Sequence, residues 1–380
     1  MNIAIFDVDS KIPNLALMKI SAWHKKQGHH VEHYMPLMRD TYDKIYASKI
    51  FNFSDDSMLS DERMVIGGTG WDMKKTLPDE IENMIPDYSI YQYPHNIGFT
   101  MRGCRLKCSF CVVPEKEGKP YGVNTMEELW SQRSSDFVVL LDNDFFGNPA
   151  WRDRIAEMQD LQLKVNFSQG LNIRNIKEEQ AAELAKVKFR TLSGKSNRVN
   201  FAWDDPRHEK LIHKGIKTCI EAGIKPYQMG FYVLIGYHST PEEDLHRVEV
   251  LRNYGCEPFV MPYDKEDLYQ NRFTRWVNHK AIFKTVAWKE AAKSYLSFFV
   301  FIKFLYLSTA VFNPAKDKLH PPLFIIGFGN LYFSGFPFSA KTSISRPPGK
   351  SIFKSLAVLS NASPKASSIV VPNRLYLLRA

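Results

Sequence analysis

Three cysteines fall within eight residues, Cys104-Arg105-Leu106-Lys107-Cys108-Ser109-Phe110-Cys111, a C-x3-C-x2-C spacing with an aromatic directly before the third thiol. A loop this short can turn three sulfurs toward one point, and thiolates are the ligands of zinc and of iron–sulfur clusters. Three sulfurs are one short of a closed tetrahedral site, so a metal centre held here keeps an open position. Structural zinc asks for a fourth Cys or His. The nearest histidine, His95, stands upstream on a Pro-flanked stretch, and Cys219 and Cys256 lie more than a hundred residues downstream. A cubane cluster with one iron free for a small molecule fits this ligand set better than zinc does. The competing class is a non-catalytic zinc- or metal-binding protein that uses the same three thiols.

The motif resembles the signature of the radical S-adenosylmethionine (radical SAM) superfamily. That resemblance implies that Cys104, Cys108 and Cys111 each bind one iron of a 4Fe–4S cluster, the fourth iron being chelated by the amino and carboxylate groups of S-adenosylmethionine. It further implies reductive cleavage of the sulfonium, with a reductant such as flavodoxin or ferredoxin, to a 5′-deoxyadenosyl radical that takes hydrogen from a substrate. Phe110 is then expected as a packing lid beside the cluster. Methyl transfer, rearrangement, dehydrogenation and peptide modification all begin with that radical, so the motif leaves the substrate open. Cys219 and Cys256 have no neighbouring thiol in the sequence, and a second cluster, as methylthiotransferases require, is not expected.

The elements that must position this loop read as α/β. Residues 1–95 carry short apolar strands at 3–8, 30–34 and 44–47, a helix opened by Pro13 and closed by Gly28, and Met64-Val65-Ile66 running into Gly67-Gly68-Thr69-Gly70. Alternating strands and helices imply a small parallel, Rossmann-like sheet. It is similar in position and pattern to the cobalamin-binding domain that precedes many radical SAM barrels, but D-x-H-x-x-G is missing; a domain that keeps the shape without the cofactor is expected. His24 and His29 are read as solvated or capping, and the glycine run as a turn.

Residues 96–262 contain six strand-like runs, the most apolar being Phe137-Val138-Val139-Leu140-Leu141, as in a strand buried on both faces. With the resemblance, this implies a partial (β/α)6 barrel of the TIM type, closed by an amphipathic stretch over 263–292. Chemistry in such folds gathers at the carboxyl ends of the strands. That rule selects Asp142, Asn143, Asp144, Ser168, Gln169, Asp204 and Asp205. By resemblance, Asp142 or Asp144 contacts the methionine amino group, Ser168 and Gln169 the ribose or carboxylate, and the backbone near Ile235 and Gly236 the adenine.

Net charge misleads if taken over the whole chain. The total of +9 arises after residue 290, where eleven Lys and Arg face one acid, Asp317; the first 290 residues hold 39 bases and 40 acids. Nothing in the body's charge calls for nucleic acid. Five cysteines make a poor disulfide framework, which together with an N-terminus lacking a basic, apolar leader points to the reducing cytoplasm. Residues 293–380 break the pattern. They are apolar at first, with Lys303 inside the one long apolar run, then rich in Ser, Pro and Lys. A membrane span is not expected there; poor packing is, as for a shifted reading frame or a misjoined gene end.

Overall fold

A computed structural model describes residues 1–293, so the apolar and basic segment expected to be poorly packed lies outside the described residues. Four short runs form the first sheet: β1 (Asn2–Asp7), β2 (His30–His33), β3 (Lys44–Ser48) and β4 (Met64–Gly67). All are parallel, in the order β2-β1-β3-β4, with Ile3 opposite Val31 on one side and Ala4 opposite Ile45 on the other. The helix Leu15–Lys26 carries the chain from β1 to β2. Asn14 caps it by accepting from the Leu17 N–H at 3.2 Å, and Leu17 and Ile20 pack on Ile3, Ile5 and Val31.

Nine further strands follow: β5 (Asn96–Gly98), β6 (Met101–Arg102), β7 (Tyr121–Gly122), β8 (Phe137–Leu140), β9 (Lys164–Phe167), β10 (Lys188–Phe189), β11 (Val199–Ala202), β12 (Met229–Ile235) and β13 (Glu257–Pro262). They make a parallel sheet β5-β8-β9-β10, a parallel sheet β11-β12-β13 and an antiparallel pair β6-β7. The two parallel sheets meet at one bridge, where the Leu171 N–H donates to the Asn200 carbonyl at 2.7 Å. The mixed α/β class with parallel sheets is therefore as expected, while the ladder is divided in two. The first run is short, because Met101–Arg102 leaves β5 to pair with Tyr121–Gly122.

Packing explains why the apolar runs lie where they do. In β8, Val138 and Leu140 join the main core with Val165, Phe201 and Val233, while Phe137 and Val139 face Met18 of the N-terminal helix. Both faces of this strand are buried, so residues 1–95 and the following sheet share a core. The helix Trp151–Asp160, which the sequence reading passed over, buries Trp151, Ile155 and Met158 at i, i+4 and i+7. Residues 263–292 close the far side with the helices Leu268–Asn278 and Lys280–Thr285, burying Phe273, Trp276, Val277 and Phe283. No helix among the described residues is long and apolar enough to cross a membrane.

Two buried polar groups carry this packing. Arg247, 1 % exposed, donates to the carbonyls of Trp203 (2.8 Å) and Leu234 (2.9 Å) and pairs with buried Asp244 at 2.6 Å, joining the ends of β11 and β12 to the helix Pro241–Tyr254. His24 is buried rather than solvated: one ring nitrogen meets His29 at 2.8 Å and the other the Tyr46 hydroxyl at 3.0 Å. Burial, then the charges of His29, Lys44 and the N-terminus, lower its pKa to about 4.

Removing the arginine alone strands a buried carboxylate, so Arg247→Met should destabilise the fold by about 3–5 kcal/mol in urea unfolding. Adding Asp244→Leu should recover part of that loss. For His24 the folded value lies below the ordinary 6.5. Its contribution is thus full above pH 6.5 and lost as pH falls toward 4. The Tm of the native chain should fall more over that window than the Tm of His24→Gln.

Candidate functional site

Residues 101–122 double back on themselves, with β6 and β7 as the base and the cysteine loop as the excursion between them. The loop has little regular structure, so individual bonds hold it. Gly103 enters at φ +79, and a Cβ there would lie 2.3 Å from the Lys119 carbonyl oxygen, which excludes any side chain. Its N–H donates to Glu117 Oε2 at 2.9 Å, and the Cys104 N–H donates to the Gly118 carbonyl at 3.1 Å. Arg105 is gripped by Asp144, with Nε to Oδ2 at 2.7 Å, Nη2 to Oδ1 at 2.8 Å and the Arg105 N–H to Oδ2 at 3.1 Å. Across the opening, the Tyr237 hydroxyl donates to Ser109 Oγ at 2.8 Å and its ring meets Phe110 edge-on at 5.5 Å.

Held this way, Cys104, Cys108 and Cys111 all line one cavity of about 530 Å³. Its floor is built from the carboxyl ends of strands: Leu141 and Asn143 after β8, Gln169 to Asn172 after β9, Asp204 and Asp205 after β11, Tyr237 and His238 after β12. Ile50 and Thr69, from the loops after β3 and β4, complete it. The volume is that of a small-molecule site, and its position is the one ligands take in parallel α/β folds.

Each thiol is partly desolvated. Burial pushes Cys104 up to about 12 and raises Cys108 and Cys111, and neighbouring thiols push Cys104 and Cys111 further in the same direction. Arg174 opposes the shift at Cys108. That guanidinium lies on the turn after β9, oriented by Asn172 Oδ1 at 3.2 Å and by His208 Nδ1 at 3.2 Å. Buried thiols of this kind are poor nucleophiles, and a bound cation that displaces their protons relieves the desolvation. The sulfurs share a cavity wall without meeting at a point: no three His, Cys, Asp or Glu side chains among the described residues are grouped to hold a metal ion.

The remaining selected residues divide. Phe110 and Gln169 line the cavity with the cysteines, as do Asn143, Asp204 and Asp205. Asp142, Asp144, Ser168, Ile235 and Gly236 do not; they belong to the scaffold. Asp142 is buried, accepts from the Thr100 N–H at 2.7 Å, from the Thr100 hydroxyl and from the Met101 N–H at 3.3 Å, and burial still raises it to about 7. The Asp144 carboxylate is taken by Arg105, and the Ser168 hydroxyl donates to the Leu140 carbonyl at 2.7 Å. The Ile235 carbonyl accepts from the Tyr263 N–H at 3.0 Å, and the Gly236 N–H donates to Ser239 Oγ at 3.2 Å. Sequence reasoning missed Arg174, Lys116, Glu117 and Tyr237 as parts of the wall. The closeness of Lys116 and Glu117 to Cys111 was the signal available for two of them. Cys219 and Cys256 lie in the main core and do not line the cavity.

No protein-family model matches the chain, and no curated protein does.

Because Asp144 is the loop's strongest tether, Asp144→Ala should loosen the cysteines. Hydrogen bonds to charged groups contribute about 1.5–3 kcal/mol, so local opening should rise at least ~10-fold. Alkylation of Cys104 by iodoacetamide, followed by peptide mass spectrometry, should accelerate by that factor, while Cys219 and Cys256 stay protected.

Proposed function

We propose that this chain is a radical SAM enzyme acting on a small molecule bound in the 530 Å³ cavity. The observation that carries the reading is the placement of the C-x3-C-x2-C thiols on the wall of a cavity formed at the carboxyl ends of parallel strands. In this reading β5, β8, β9, β11, β12 and β13 are the six successive strands of a partial barrel, the Leu171–Phe201 bridge marking where its two ladders join. Residues 1–95 serve as a wall of the cavity instead of a cobalamin holder.

Cys104, Cys108 and Cys111 would hold the 4Fe–4S cluster, one iron each. When bound, that cluster supplies an open coordination site for S-adenosylmethionine and the electron for its reductive cleavage. The donor set suits the group in its chemistry: thiolates are the ligands of iron–sulfur clusters, and three of them line one cavity, which leaves one iron of a cubane open. Arg174 offsets the negative charge that accumulates when Cys108 deprotonates. Phe110, Leu106, Val112 and Val113 present apolar surface to the cavity and exclude water from that side. Gln169 and Asn143 offer side-chain amides to a polar ligand such as the nucleoside. Asp204 and Asp205 line the same cavity with Arg207, which pairs with Asp205 at 2.7 Å, so this wall offers both acceptors and donors to a polar ligand.

Anaerobic reconstitution with iron and sulfide tests this. We expect about four irons and four sulfides per chain, and release of 5′-deoxyadenosine when dithionite and S-adenosylmethionine are added. Cys104→Ala, Cys108→Ala and Cys111→Ala should each bring that release to background. A chain that takes up zinc alone and never cleaves S-adenosylmethionine would instead be the non-catalytic metal protein.

A further inference from the structure

One part of the cavity wall lies on the short helix that follows the cysteine loop. Lys116, the last residue of the short helix Val113–Lys116, lines the cavity beside Thr69 and donates its ammonium to the Thr69 hydroxyl. The neighbouring cation, Arg102, is already committed: it pairs with Glu117 at 3.4 Å and stacks over the Phe99 ring at 4.1 Å. Glu117 in turn accepts from the Gly103 N–H and from Asn143 Nδ2 at 3.2 Å. Lys116 makes no ion pair among the described residues, so a three-donor ammonium faces the cavity with one hydroxyl for company.

Thr69 is fixed by its neighbours. A Cβ on Gly68 would fall 2.3 Å from the Lys49 carbonyl oxygen, and one on Gly70 2.4 Å from the Phe51 carbonyl carbon. The turn is therefore pressed onto the backbone after β3, and only glycine permits that approach. A rigid turn that presents one hydroxyl beside an ammonium is a preorganised anion site.

We propose that Lys116 and Thr69 bind an oxyanion, a carboxylate or a phosphate ester, of the small molecule that occupies the cavity. Two lines of chemistry support it. Among the described residues Lys116 makes no direct ion pair, the acids Glu117 and Asp72 acting on it only through space, and an anion in the cavity supplies a direct partner. Burial and the charge of Arg102 lower the Lys116 pKa, with Glu117 and Asp72 opposing, so a bound anion would hold the amine charged. This inference rests on the proposed function only in calling the occupant a substrate. Anion binding does not require the cluster.

The test uses the full-length chain as purified, at constant ionic strength because exposed charges are screened by salt. Inorganic phosphate, succinate and uncharged succinamide are titrated by calorimetry. We expect saturable binding of phosphate or succinate and none of succinamide; the tighter of the two anions identifies the class of oxyanion. Lys116→Met should weaken binding at least ~10-fold and Thr69→Val by a smaller factor. Lys116→Arg should retain it and show that the loop still folds, and Arg133→Gln, at an exposed site outside the cavity lining, should leave it unchanged. Equal affinity in Lys116→Met, or no saturable binding of either anion, overturns the proposal. Either result leaves the 5′-deoxyadenosine measurement to stand or fall separately.

Discussion

The grip of Asp144 on Arg105 is the constraint on which the site depends. The cysteine loop has almost no backbone ladder of its own, and three partly desolvated thiols would be better solvated if the loop swung outward. A carboxylate 1 % exposed, meeting a guanidinium through two side-chain bonds and the adjacent backbone N–H, opposes that motion. Both oxygens of Asp144 are used, so its burial is compensated and the bond geometry fixes orientation as well as distance. Because Asp144 follows β8, the loop is referenced to a strand buried on both faces. Glu117 completes the arrangement from the other end by holding Gly103 and Asn143.

Parallel strands make such a cavity almost unavoidable. Every strand of the two ladders ends on the same side, and the loops that follow must satisfy exposed backbone groups with short polar side chains. Those side chains compete between two fates. Where a hydrogen-bond partner lies close in the fold, as the Thr100 donors do for Asp142 and the Leu140 carbonyl does for the Ser168 hydroxyl, the group turns inward and becomes scaffold. Where no such partner is near, as at Gln169, it faces the cavity.

That competition explains what the sequence made legible. The thiol spacing, the doubly buried run at 137–140 and the amphipathic closure over 263–292, which buries Phe273, Trp276 and Phe283, are local or periodic features, and each is present. Choosing among polar residues at strand ends was not possible on the same basis, because the choice depends on partners forty residues away. Thr100 with Asp142 and Arg105 with Asp144 are such pairs. Tyr237 was beyond reach for the same reason: its contact with Ser109 spans 128 positions. His24 went astray because a histidine late in a helix is usually solvated, and the tertiary contact with Tyr46 overrides that preference.

The N-terminal sheet follows the same physics. Its carboxyl edge carries Asp7 and Asp9, residues that a ligand-binding reading would favour. Asp9 instead accepts from the Ile50 and Phe51 N–H groups, each at 2.8 Å, and Asp7 from the Tyr91 hydroxyl at 2.7 Å and the Ser10 N–H at 3.0 Å. These bonds draw the loop after β3 across the edge, and Gly68 and Gly70 let the next turn lie directly on it. What the unit then presents to the cavity is Ile50 and Thr69. The acids at the end of β1 therefore act at a distance: by fixing the backbone at Ile50 and Phe51 they set the surface against which the Thr69 turn packs, and so the position of the hydroxyl that Lys116 meets.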